Sequence, residues 1–197
     1  MAGSNDSKMT RQLKIYLNIL TTTFHGPEEL MEQFGISRRM LQRDLKDLRD
    51  AGVIRLKLIK REKNYAEAEE PAVFDEASTG RRRQHLLRLK RLTTLINRLE
   101  RTDIWELQRY ESELEEYHFY KEYMKTDPET FPPKDLPPAP ARPVLADIKA
   151  SYYALFPSSN ERMRQRDFKI LNEVGFVIYY ERTYKAFICE GYYDPDW

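Results

Sequence analysis

The sequence predicts a mainly α fold with small β-wings: an N-terminal winged helix-turn-helix, a central helical segment and a degenerate C-terminal winged helix. Three observations carry this prediction. First, residues 37–52 (SRRMLQRDLKDLRDAG) and 160–175 (NERMRQRDFKILNEVG) spell nearly the same helix. Half of the aligned positions are identical: Arg39/Arg162, Met40/Met163, Gln42/Gln165, Arg43/Arg166, Asp44/Asp167, Lys46/Lys169, Leu48/Leu171 and Gly52/Gly175. Second, each copy ends on glycine and runs into an alternating, β-like stretch, VIRLKLIKREKNY and FVIYYERTYKAFI, as the back half of a winged helix requires. Third, the first copy follows a short helix and a tight glycine turn, the signature of a helix-turn-helix.

The elements follow in chain order. Residues 1–9 are polar and read as a disordered start. From Thr10, the spacing of Leu13, Leu17 and Leu20, with Tyr16 alongside, makes an amphipathic helix. Pro27, followed by Glu28 and Glu29, opens a second, short helix whose Leu30, Met31 and Phe34 face inward and which stops at Gly35. Ser37 caps a third helix that runs to Ala51 and Gly52, and the wing completes a unit over 10–66. Residues 67–80 read as a linker.

Residues 81–126 are helical and polarised in charge. Segment 81–101 holds eight basic residues against Glu100 alone, whereas 103–129 holds nine acids against Arg109, Lys121 and Lys125. Leu89, Leu92, Ile96 and Leu99 form one apolar seam, and Leu107, Tyr110, Leu114 and Tyr117 form another. Asp103, with Glu106 three residues on, caps a new helix. The basic helix either lies on DNA phosphates or pairs with the acidic helix, within one chain or across a dimer, and the near-equal opposite charges favour pairing. Burial of the seam predicts a homodimer through 81–126. Segment 127–143 carries seven prolines and predicts an extended spacer that uncouples a C-terminal unit over 144–197.

Composition narrows the function. The net charge of +1 conceals this local segregation. A lone Cys189 excludes an intramolecular disulfide, and His25, His85 and His118 lack metal-ligand or catalytic spacing. No nucleophile–base pair, carboxylate pair or glycine-rich phosphate loop stands out, so no enzyme, metal or cofactor is expected. The N-terminus lacks an apolar leader and no stretch reaches a membrane span, which predicts a cytoplasmic protein without membrane contact.

On the first repeated helix, Leu41, Leu45 and Leu48 make the core stripe, while Arg39, Gln42, Arg43 and Lys46 fall on the opposite face. A recognition helix in the major groove presents side chains there. Arginine pairs bidentately with guanine and glutamine with adenine, while lysine neutralises phosphate. The hairpin adds Lys57, Lys60, Arg61 and Lys63. Asp44 and Asp47 lie off this face and read as local partners of Arg43 or Arg38, worth little if exposed.

The segment EELMEQFG and the following ISRRMLQRDLKDLRDAGVI, with its S-R-R-x-x-x-R-D-L-x-x-L-x-x-x-G core, resemble the winged helix of DeoR-type regulators and of regulators that carry a WYL domain. The resemblance covers about residues 10–66. It implies a promoter-binding module of a bacterial transcription regulator, with Ser37, Arg38, Arg39, Gln42 and Arg43 in the DNA-contacting positions. Neither a sugar-phosphate sensor domain nor a WYL domain follows the wing, so effector control does not carry over.

The second copy keeps Arg162, Gln165, Arg166 and Lys169 on the same face. It differs in three respects: Pro157-Ser158-Ser159 leaves no room for a full second helix, Arg164 replaces Leu41 on the core stripe, and the wing exchanges basic residues for Tyr179, Tyr180, Tyr184 and Phe187. Tyr152, Tyr153 and Phe156 are expected to close its core. This copy reads either as a second DNA contact or as a protein-facing surface. Two functions follow for the chain: a sequence-specific regulator that binds double-stranded DNA, or a non-enzymatic assembly or scaffold protein whose winged helices bind protein. Single-stranded nucleic acid on the C-terminal aromatics is a weaker third.

Overall fold

The computed structural model describes residues 6–21, 26–59, 64–68, 70–127, 129–130 and 136–193. Seven helices and two antiparallel hairpins are among the described elements: α1 (Lys8–Thr21), α2 (Pro27–Gln33), α3 (Arg38–Asp50), β1 (Leu56–Ile59), β2 (Asn64–Glu67), α4 (Gly80–Arg98), α5 (Ile104–Thr126), α6 (Ile148–Leu155), α7 (Glu161–Val174), β3 (Phe176–Glu181) and β4 (Ala186–Tyr192). β1 pairs with β2, and β3 with β4. The order α1–α2–α3–β1–β2 is the expected winged helix.

Local chemistry sets the ends of the repeated helices alike. Ser37 Oγ accepts the Met40 N–H at 3.3 Å, and Asn160 Oδ1, at the matching repeat position, accepts the Met163 N–H at 2.9 Å. Both helices end on a glycine with positive φ, Gly52 at 68° and Gly175 at 123°. A Cβ at Gly52 would lie 2.8 Å from the Phe74 nitrogen, and one at Gly175 would lie 2.4 Å from the Tyr193 oxygen. Only glycine therefore lets the chain fold back this closely.

The two halves share one core. Leu13, Ile15 and Tyr16 of α1, Leu41, Leu45 and Leu48 of α3, Leu86, Leu89, Leu92 and Leu95 of α4, Ile148 and Tyr152 of α6, and Phe168, Leu171 and Val174 of α7 belong to a single buried cluster. α1 packs against α3, α4 and α7, and α4 packs against α3 as well. The expected uncoupling of a C-terminal unit is thus corrected. The proline segment is not the joint between two bodies, because α1 and α4 join them directly.

The pairing of the basic and acidic helices within one chain is corrected too. Arg82 of α4 reaches Asp47 and Asp50 of α3, and Arg88 and Arg91 reach Asp167 of α7. Carboxylates on α3 and α7 take these cations, and the leucine seam of α4 is buried within its own chain. α5 projects with Trp105 82% and Phe119 63% exposed. Pro137, Pro138 and Pro140 run back along its Tyr117 and Tyr120, enclosing a shallow cavity of about 350 Å³. Arg142 ties this strap to the tip of the second hairpin, donating to the Thr183 carbonyl at 2.7 Å and lying over the Tyr184 ring.

The segment expected as a linker, 67–80, is fastened down. Phe74 bridges to Ala51, the Asp75 N–H donates to the Asp50 carbonyl at 2.7 Å, and Arg83 and Lys90 lie over the Phe74 ring.

The C-terminal repeat is less degenerate than its sequence suggests. α6 is an eight-residue helix ahead of the turn and so stands where α2 stands ahead of α3. Arg91 of α4 forks onto Asp167 as Arg11 of α1 forks onto Asp44. Thr102, just beyond α4, donates its N–H to the Cys189 carbonyl of β4 at 2.7 Å and accepts the Cys189 N–H at 3.1 Å. Helix α4, this bridge, α6, α7 and the β3–β4 hairpin form a winged-helix order, interrupted between its first and second helices by α5 and the proline strap. Tyr152 closes the core as expected, edge-on to Tyr153, Phe156 and Phe168. Arg164 stays on the core stripe by laying its guanidinium over Phe168 and Phe187 and pairing with Glu161.

Candidate nucleic-acid interface

The exposed face of α3 is cationic because its opposite face is anchored by buried carboxylates. Asp44 is fully buried and takes Arg11 Nε at 2.8 Å and Gln12 Nε2 at 2.9 Å. Asp47 is buried as well and takes Lys8 Nζ at 2.7 Å, Arg82 at 3.0 Å and Gln12 Nε2 at 3.1 Å. The expectation that these acids neutralise Arg43 or Arg38 locally is therefore corrected. Asp44 lies three residues after Leu41 and four before Leu48, and Asp47 lies three after Asp44, so both turn inward, where α1 and α4 supply the cations. Burial raises the Asp47 pKa, but the hydrogen bonds and charges of Lys8, Gln12 and Arg82 outweigh it, so the carboxyl titrates below its ordinary value. His85 Nε2 meets Gln12 Oε1 at 2.9 Å in the same junction. Burial, with Lys8 beside it, pushes the imidazole pKa down.

With its acids turned inward, α3 presents Arg38, Arg39, Gln42, Arg43, Lys46 and Arg49 to solvent. Among the described residues no carboxylate lies within ion-pair distance of Arg38, Arg39 or Arg43. Lys46 has a loose pair with Asp50 at 3.8 Å, and its side chain is 63% exposed. Ser37 is exposed, but its hydroxyl is engaged in the cap. Lys57 is exposed on β1, beside a cleft that Gln42, Leu45, Arg49, Leu56 and Tyr65 line between helix and hairpin. Lys60, Arg61 and Lys63, expected on the wing, lie outside the described residues, as does His25.

The second face repeats four of the six exposed polar positions of the first, with Glu161 and Asn172 where α3 has Arg38 and Arg49. Arg162, Gln165, Arg166 and Lys169 are all exposed on α7. Gln165 donates to Glu161 at 3.1 Å, Arg166 Nε to the Arg162 carbonyl at 3.2 Å, and Lys169 sits 3.9 Å from Glu173. Between α7 and the hairpin lies a groove of about 620 Å³ lined by Gln165, Phe168, Lys169, Ile178 and Phe187. The hairpin is not purely aromatic: Arg182 and Lys185 are exposed in its turn. The sequence missed these two cations, although they sit between the alternating stretches that mark the strands. It also missed the anchors Arg11, Gln12 and Arg91, for which only the identity of Asp44 and Asp167 gave a signal.

Residues 11–64 match the family model of the HTH domain, a helix-turn-helix DNA-binding domain found in WYL-domain regulators and related transcription factors. The match covers the first winged helix from α1 into β2, and this part of the chain is accordingly a helix-turn-helix domain of the DNA-binding kind. No curated protein and no solved structure matches the chain. Among the described residues no helix is long and apolar enough to cross a membrane, and no cluster of three or more His, Cys, Asp or Glu side chains is placed to hold a metal ion.

Proposed function

We propose that the chain is a cytoplasmic, sequence-specific transcription regulator without catalysis of its own, and that α3 is its recognition helix. On this reading α3 lies in the major groove, Arg39, Gln42 and Arg43 meet base edges, and Arg38 and Lys46 meet phosphates. The backbone at Ser37 starts the helix against the sugar-phosphate chain, and Lys57, Lys60, Arg61 and Lys63 extend the phosphate contacts along the wing. The observation that carries the reading is the sorting of charge on α3: two carboxylates buried and paired within the fold, six polar cationic or amide side chains outside. Binding to duplex selected from a random pool is the test. Arg39→Ala or Arg43→Ala should each cost about 1–3 kcal/mol in specific binding. Wild-type affinity in both variants would refute the assignment.

One observation favours a protein contact beside DNA, as in an assembly or scaffold role. Among the described residues α5 exposes Trp105 and Phe119 along much of its length, with the Phe119 and Tyr123 rings stacked at 5.8 Å. The homodimer expected through 81–126 uses α5 alone on this reading, because the leucine seam of α4 is already buried. Sedimentation at micromolar concentration should find a dimer that Phe119→Glu dissociates; a wild-type monomer removes this part of the proposal.

A further inference from the structure

We propose that α7 and the β3–β4 hairpin form a second duplex-DNA-binding face, so that a single chain holds two readers in fixed relation. The contacts are Arg162, Gln165, Arg166 and Lys169 on the helix, with Arg182 and Lys185 in the hairpin turn. This inference rests on α3 being a DNA reader and extends that chemistry to a part of the chain that the HTH-domain match does not reach.

Four observations carry it. The polar residues kept between the repeats are of two kinds: the exposed set (Arg162, Gln165, Arg166, Lys169) and the buried anchor, Asp167. Core packing alone would retain the anchor and the apolar stripe, yet two of the three stripe positions changed, Leu41 to Arg164 and Leu45 to Phe168, and only Leu48 is kept, as Leu171. The anchor is then held by the same fork as in the first unit, with Arg91 Nε 2.7 Å from Asp167 Oδ2 and Nη2 3.1 Å from Oδ1. A buried acid with its own arginine again leaves Arg162 and Arg166 without a carboxylate partner among the described residues, while Lys169 keeps a loose pair with Glu173 at 3.9 Å. Next, among the described residues the inserted α5 and proline strap reach the hairpin through Tyr184 and Thr183, and Arg162, Gln165, Arg166 and Lys169 stay open to solvent. Finally, the hairpin turn puts Arg182 and Lys185 where a wing reaches the phosphate chain next to its recognition helix.

The two faces cannot swing independently. α1 packs on both α3 and α7, its Thr10 hydroxyl donating to Glu173 of α7 at 3.2 Å, while Arg82 of α4 grips Asp47 and Asp50 of α3. A pair of unlike readers on a rigid frame fits a DNA target with two non-identical half-sites, or two separate duplexes.

The test uses the full chain, a mixed-sequence duplex and a duplex selected from a random pool. Affinity is followed against salt concentration for wild type, Arg39→Ala/Arg43→Ala and Arg162→Ala/Arg166→Ala. All four arginines are exposed, and a thermal melt checks that each variant is folded. The second-face pair is expected to lose about tenfold or more in affinity, to lower the slope of log affinity on log salt by roughly 2, and to shorten the footprint on the selected duplex. A wild-type slope and footprint in that variant overturns the second face. If only the first-face pair is unaffected, the reading of α3 fails and with it the two-reader arrangement, while α7 remains a DNA-binding face; a chain that binds neither duplex overturns both. Mixing two differently labelled selected duplexes separates the targets: joint capture by one chain means two duplexes, and its absence with a long footprint means two half-sites on one.

Discussion

Asp44 and Asp167 occupy one repeat position, and each offers both carboxylate oxygens to an arginine fork in the interior. Removing one member of such a pair strands the other charge and costs about 3–5 kcal/mol. Asp44→Ala and Asp167→Ala should therefore each lower stability to denaturant by that order, while Arg43→Ala, an exposed change, should stay within about 0.5 kcal/mol. Equal midpoints for the three variants would refute the anchoring role. Two titrations near Asp44 add a pH signature. His85 has a lowered pKa in the fold, so the unfolded chain takes up a proton near its ordinary 6.5 while the native chain does so only at lower pH. Stability should thus fall as pH drops from about 6.5 toward the folded value, and His85→Gln should flatten that slope. Asp47, also lowered, contributes stability that is present above its ordinary value of 3.8 and lost as pH falls through the folded one, so the two effects occupy separate windows. The sequence marked Asp44 by repeating it, yet the partner that defines its role stands 33 residues away on another helix. Helical periodicity places a residue beside a stripe; it does not say what faces it.

At the scale of elements, caps and turns were the most legible features. Ser37, Asn160, Asp103 and the two closing glycines act where short-range rules put them, because each satisfies backbone groups within a few residues. Those rules also rank the glycines. Gly35 has φ 59° but open space where a Cβ would stand, with nothing within 4 Å, whereas Gly175 combines φ 123° with the Tyr193 carbonyl in the way. Gly35→Asn should be nearly neutral, since asparagine tolerates the left-handed region. Gly175→Ala and Gly52→Ala should each cost more than about 1 kcal/mol in denaturant unfolding. What stayed hidden was the membership of α4. Its place as first helix of the second winged helix depends on Arg91 meeting Asp167 and on Thr102 bridging to Cys189, contacts across 76 and 87 residues. The inserted acidic helix and proline strap broke the local pattern between them, and the opposite charges of α4 and α5 suggested a pairing that nearer carboxylates took instead.

The whole molecule is organised around α1 and α4, the first helices of the two winged units, which pack on each other at the centre of a single core. Seven prolines between 127 and 143 suggested a hinge because an extended spacer commonly separates bodies. Here the strap leaves and re-enters a unit whose first helix was laid down earlier in the chain, so it lengthens a loop without dividing the core. The consequence is cooperative unfolding. Tyr152 is completely buried at the C-terminal end of this core, where its hydroxyl donates to Asp167 at 2.8 Å and its ring meets three others. Tyr152→Ala should cost about 3–5 kcal/mol, the range for deleting a buried ring. In a chain of two uncoupled units that loss would appear only in α6, α7 and the second hairpin. With α1 shared between α3 and α7, native-state hydrogen exchange should instead show the slowest amides of α3 and α7 opening with the same free energy, and Tyr152→Ala should lower both together. Protection lost in α7 alone, with α3 unchanged, would show that the two winged units are tethered and not built on one frame.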